Sequence, residues 1–89
     1  MISKDFTLKN KMGFHMRPAQ SFVSAMAKYA SSTITIKFNG KDIDGKSIMN
    51  IMAACMKCGA EISVVCDGPD EEAMMNEAAA MIEAGFGEE

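Results

Sequence analysis

Thr33-Ile34-Thr35-Ile36-Lys37-Phe38-Asn39-Gly40-Lys41-Asp42-Ile43-Asp44 is the stretch that decides the fold. Its first half alternates polar and apolar residues and is rich in β-branched side chains, the pattern of a strand with one buried face. Asn39-Gly40 suits the two left-handed positions of a tight hairpin turn. Residues 41–44 therefore return antiparallel to 33–38. Helical patterns lie on both sides of this hairpin, so the sheet it belongs to is covered by helices.

Toward the N-terminus, Ala19, Phe22, Val23, Met26, Ala27 and Ala30 mark one face of a helix over 17–30, which Ser31-Ser32 ends. Before it, Ile2, Lys4, Phe6 and Leu8 alternate with Ser3, Asp5 and Thr7, the period of a strand. Residues 10–14 form a loop with Gly13 as its flexible point. Toward the C-terminus, Ser47 is a good helix N-cap. Ile48, Met49, Ile51, Met52, Cys55 and Met56 follow on a short helix that Gly59 closes. Residues 61–66 form a strand with Ile62, Val64 and Cys66 on one face. Asp67-Gly68-Pro69-Asp70 is a turn, with Asp70 as the next N-cap and Glu71 and Glu72 at the positive helix end. Met74, Ala78, Met81 and Ile82 make the last apolar stripe, Gly85 stops it, and 87–89 fray. The order β-α-β-β-α-β-α predicts an α+β open-faced β-sandwich. Four antiparallel strands carry three helices on one face, in one domain over 1–89.

The chain has 89 residues and a hydrophobic fraction of 48%, which suits one small globular domain. No apolar run approaches the roughly 18 residues of a membrane helix, so no membrane insertion is expected. Met1-Ile2-Ser3-Lys4-Asp5 shows no signal-peptide pattern. Three cysteines make no disulfide framework, and a reducing cytoplasm is the simplest setting. Net charge is −3 but unevenly spread: all nine Lys and Arg lie within residues 1–57 against three acids, while 58–89 hold nine acids and no base. An acidic protein partner is the electrostatic expectation for the basic part. Direct nucleic-acid binding is not expected, because there is no Arg-rich stripe or aromatic stacking set.

The basic part contains the single histidine, His15. A lone histidine is more often structural than chemical. This one stands just before a helix, whose N-terminal N–H groups and partial positive charge stabilise phosphate. Pro18 fits the first helical turn, and Arg17 can hydrogen-bond a phosphoryl oxygen. Together they suit a histidine that accepts a phosphoryl group and later gives it away. Cys55-Met56-Lys57-Cys58 reads as CxxC. A redox pair would gain thiolate stabilisation from a helix N-terminus, and this pair lies at a C-terminus. A structural zinc site needs four ligands, and only Cys66 and His15 remain, so no metal is expected.

Gly13-Phe14-His15-Met16-Arg17-Pro18-Ala19 resembles the active-site signature of the HPr family, small phosphocarriers of the bacterial phosphoenolpyruvate:sugar phosphotransferase system. Lys46-Ser47-Ile48-Met49-Asn50-Ile51-Met52 resembles that family's regulatory-serine segment. The resemblance covers nearly the whole chain and implies the same fold as the residue pattern. It implies a monomeric carrier rather than an enzyme, with no cofactor. His15 would take a phosphoryl group from phospho-enzyme I and pass it to sugar-specific enzyme IIA domains, with Arg17 stabilising the transferring group. Ser47 would be phosphorylated by an HPr kinase/phosphorylase and could then engage a catabolite-control transcription factor; on its residue type alone it is simply an N-cap. The short second helix has too many apolar residues for one buried face, so some are exposed for docking. The docking patch implied is Met12, Met16, Gln20, Ile48, Met49, Met52 and Met56, with Ile51 buried. Met16 replaces a frequent alanine of the family and Asn50 a frequent glycine, which bears on partner preference. A regulatory-only paralogue and a nitrogen-type carrier are the alternatives; His15 argues against the first and the Lys46-Ser47 segment against the second.

Overall fold

The computed structural model describes residues 1–87. Four strands and three helices follow one another as β1 (Ile2–Thr7), α1 (Met16–Met26), β2 (Thr33–Phe38), β3 (Lys41–Asp44), α2 (Ile48–Ala54), β4 (Glu61–Asp67) and α3 (Glu71–Glu83). A 3₁₀ turn, Gly85–Gly87, closes the described chain. Glu88 and Glu89, where fraying is expected, lie outside the described residues.

The hairpin forms as its sequence demands. Asn39 and Gly40 both take positive φ, 53° and 76°, and Ile36 pairs with Ile43 across the two strands. The sheet order is β1-β4-β2-β3, and every neighbouring pair is antiparallel. β1 and β2 thus run parallel to each other, with β4 inserted between them. β4, the last strand in the chain, takes this central place, and its inward residues Ile62, Val64 and Cys66 are all buried. β4 pairs on both sides, matching Ile62 to Phe6 on one flank and Val64 to Ile36 on the other.

One face of this sheet meets the helices, and the core lies between them. Phe22 and Met26 from α1, Ile51 from α2, and Met74, Ala78 and Ile82 from α3 lie against Ile34, Ile36 and Val64 of the sheet in one buried cluster. The molecule measures 33 × 27 × 21 Å, and the smallest dimension matches one sheet plus one layer of helices, each about 10 Å thick.

Helix ends differ from the sequence expectation. α1 stops at Met26, well before Ser31-Ser32; the chain then turns through Tyr29, whose carbonyl accepts from the Ser32 N–H at 3.1 Å. α2 stops at Ala54, five residues before Gly59, because Cys55 itself takes the left-handed conformation (φ 55°, ψ 47°). Asp70 precedes α3 without its side chain capping the helix. Phe86, half-buried beyond α3, closes an aromatic trio: its ring lies 4.8 Å from Phe14 and 6.4 Å from Phe22.

Candidate functional site

His15 is the N-cap of α1, in an extended conformation with φ −89° and ψ −173°. Its carbonyl accepts from the Ala19 N–H at 3.0 Å, opening the helix. The N–H groups of Met16 and Arg17 fall in the first turn, where no preceding carbonyl is available within the helix. Pro18, also in that turn, is buried and has no N–H to satisfy. Arg17 is exposed beside it. His15 itself is half-buried.

The loop before His15 is held from several sides. Phe14 is buried under it at 3% exposure, edge-on to Phe22 at 5.3 Å. The Phe14 N–H donates to the Met56 carbonyl at 2.9 Å. Gly13 has φ 65°, and a Cβ there would collide with the backbone of Met56 and Lys57, so only glycine lets the two segments approach this closely. Asn10 is buried, and its Nδ2 donates to the Gly13 carbonyl at 2.6 Å. Sequence reasoning missed Asn10. Its signal was an asparagine at the start of a loop, a residue that bonds nearby backbone and fixes turns.

Ser47 caps α2, its Oγ accepting from the Asn50 N–H at 3.2 Å. Lys46 braces this turn: its Nζ donates to the carbonyls of Tyr29 and Ser32 at 2.7 and 2.5 Å. These contacts fix the relation of the two helices. The end of α1 lies beside the start of α2, while the His15 loop lies against Met56 just past the end of α2. The helices are therefore antiparallel. Ser47 and the His15 loop sit at opposite ends of α2, whose seven residues span about 10 Å.

Met12, Met16 and Met49 are 63%, 50% and 83% exposed. Gln20 is exposed one turn after Met16 on α1, and Ile48 and Met52 are half-buried on α2. Met56 does not belong with them: at 1% exposure it is a core residue. It lies beyond the helix because of the left-handed turn at Cys55, and that turn folds its side chain inward. Ile51 is buried as expected. Among the described residues no group of three or more His, Cys, Asp or Glu side chains could hold a metal. A cleft of about 310 Å³ lined by Asp5, Phe6, Thr7, Glu61, Ile62 and Ser63 lies on β1 and β4 and includes none of these residues.

His15 thus stands at the N-terminus of α1 beside the exposed Arg17, on a surface with exposed Met12, Met16 and Met49, in an open-faced α+β sandwich. A family model described as the PTS HPr component phosphorylation site matches residues 2–84. The phosphocarrier protein HPr of Borreliella burgdorferi is 36% identical over 84 residues, covering 94% of this chain and 96% of that one. A crystal structure of HPr-C-His from Thermoanaerobacter tengcongensis superposes with a TM-score of 0.95 at 37% identity, covering 100% and 99% of the two chains. A crystal structure of an HPr dimer from the same organism gives 0.77 at 36% identity, covering 99% and 100%. The chain belongs to the HPr family, the phosphocarrier proteins of the phosphotransferase system, which are carriers and not enzymes.

Proposed function

We propose that His15 accepts a phosphoryl group from phospho-enzyme I and delivers it to sugar-specific enzyme IIA domains. The observation that carries this reading is the placement of His15 as the N-cap of α1, with Arg17 exposed in the first turn. The helix end and the guanidinium both compensate the charge of a phosphoryl group in transit. A carrier requires little beyond such positioning and charge compensation. The docking surface is Met12 in the loop before His15, Met16 and Gln20 on α1, and Ile48, Met49 and Met52 on α2. Exposed methionines adapt to several partners, as one carrier serving enzyme I and different IIA domains needs.

Ser47 is the regulatory site in this reading, modified by an HPr kinase/phosphorylase and recognised by a catabolite-control transcription factor. Its Oγ is spent on the helix cap, so a phosphate there would sit at the N-terminus of α2, where it is locally favourable. It would lie about 10 Å along α2 from the His15 loop, and so act on the docking partner rather than on His15 directly. The protein works in the cytoplasm as a monomer. Both sheet edges discourage pairing with a second copy: β1 carries Lys4 on its helix-facing side, and β3 has only four residues.

The test is incubation with phosphoenolpyruvate and enzyme I, with mass measured before and after mild acid. An acid-labile phosphoryl adduct is expected. His15→Ala should abolish it while the protein stays folded, and Arg17→Ala should slow transfer without removing it. An adduct that survives His15→Ala would refute the assignment.

A further inference from the structure

The loop before His15 contains a conflict that one buried side chain settles. Gly13 must lack a Cβ, because a Cβ there would collide with the backbone of Met56 and Lys57. It also takes φ 65°. Glycine meets both demands but leaves the chain free to turn at that point. The peptide that joins Gly13 to Phe14 leads directly into His15, so freedom there would reach the histidine.

Both ends of that peptide are held. Its N–H, on Phe14, donates to the Met56 carbonyl at 2.9 Å. Its carbonyl, on Gly13, accepts from the Asn10 Nδ2 at 2.6 Å and from the His15 N–H at 3.0 Å. The Gly13 N–H donates back to the Asn10 carbonyl at 3.0 Å, which closes the turn. Asn10 is 1% exposed, so water does not compete for its amide, and a hydrogen bond in such surroundings is stronger than one at the surface. A Cβ on Gly85 would lie 3.6 Å from the Asn10 Cβ, so the turn after α3 backs onto this side chain. The carbonyl that Asn10 orients is the one that the His15 N–H binds.

We infer that Asn10 is a positioning residue for His15: its amide locks the Gly13–Phe14 peptide and thereby sets His15 at the start of α1 beside Arg17. The inference rests on the reading of His15 as phosphoryl acceptor proposed above. A carrier works by placing its acceptor in line with the incoming phosphoryl group, and a small displacement there is costly in rate. Removing the Asn10 donor should therefore slow the transfer step more than it weakens docking, since every docking side chain except Met12 lies on a helix.

The experiment measures kcat and KM for phosphoryl transfer from phospho-enzyme I to wild type, Asn10→Ala, Asn10→Asp and Val64→Ala, each at a temperature where its melt shows it folded. Asn10→Asp keeps the size of the side chain, and its ionised carboxylate cannot donate. Val64→Ala loses buried volume in β4, away from the loop. In both Asn10 variants kcat should fall about tenfold, with KM for the carrier changed by about threefold or less, and Val64→Ala should keep the wild-type kcat. An unchanged kcat in the Asn10 variants, a rise in KM alone, or an equal fall of kcat in Val64→Ala would each overturn the inference. Hydrogen exchange on wild type supplies a measurement that needs no variant: the Phe14 and His15 amide protons should be protected, and rapid exchange of both would overturn the lock even if neither Asn10 variant folds. Wild type that takes no phosphoryl group on His15 removes the proposed function and this inference with it. Normal wild-type transfer beside indifferent Asn10 variants overturns the role of Asn10 alone.

Discussion

Cys55 holds a left-handed conformation that glycine adopts without penalty. Cys55→Gly should therefore raise stability by about 0.5–1 kcal/mol, read as a higher urea midpoint at unchanged slope. Cys66 poses the opposite case. Its thiol is favoured in the protonated form by burial, raised from 9.0 to about 11. A group whose folded value is raised contributes stability below its unfolded value and loses it as pH rises through the folded one. Stability should accordingly fall between about pH 9 and 11, and Cys66→Val should flatten that fall in a pH series of thermal melts.

At the scale of the element, α2 is the short helix on which capping and burial can be told apart. Ser47→Ala removes the acceptor of the Asn50 N–H and should lower stability by about 1 kcal/mol. Ser47→Asp should keep the cap, so a change in phosphoryl transfer for Ser47→Asp reports charge rather than unfolding. The methionines of this segment separate equally well. Met49 is 83% exposed and Met56 is 1% exposed. Met49→Ala should cost about 0.5 kcal/mol or less and Met56→Ala about 2–5 kcal/mol, by denaturant unfolding. A large loss for Met49→Ala would place it in the core and remove it from the docking surface.

For the whole molecule, the division of charge couples fold and function. The basic residues lie within 1–57 and the acid-rich remainder supplies β4 and α3. Across these two parts, Glu77 of α3 accepts from the Tyr29 hydroxyl at 2.6 Å and from the Lys28 Nζ at 2.9 Å. These bonds, the tyrosine first, hold the Glu77 carboxyl below the usual glutamate value. A lowered carboxyl contributes stability above its unfolded value and loses it as pH falls through the folded one. Glu77→Gln should therefore be less stable than wild type at neutral pH, with the difference closing below about pH 4. The same charge division should make phosphoryl transfer from an acidic partner slow as salt rises, since screening shortens the reach of the basic surface.

Local chemistry made most of the elements legible in advance. Alternation and Asn39-Gly40 marked the hairpin, Ser47 marked the start of α2, and Ile62, Val64 and Cys66 marked the inner face of β4; each of these signals acts over a few residues. The His15 segment was legible for the same reason, because histidine, arginine, proline and a helix start are contiguous. What the chain could not show locally came from contacts between distant segments. The insertion of β4 between β1 and β2 depends on which strand best fills the centre of the sheet. The burial of Met56 follows from a left-handed turn at a cysteine, which no propensity marks, and the half-buried Phe86 packs against the core where Phe14 and Phe22 meet. Gly13 and Lys46 acquire their roles from backbone that the fold brings to them: that of Met56 and Lys57 for Gly13, and the Tyr29 and Ser32 carbonyls for Lys46. Sequence by itself determined the elements, their order and the position of His15 at a helix start, since those depend on neighbouring residues. The tertiary structure alone decided the strand order, the antiparallel setting of α1 and α2, and the separation of Ser47 from His15, since those depend on how the apolar faces share one core.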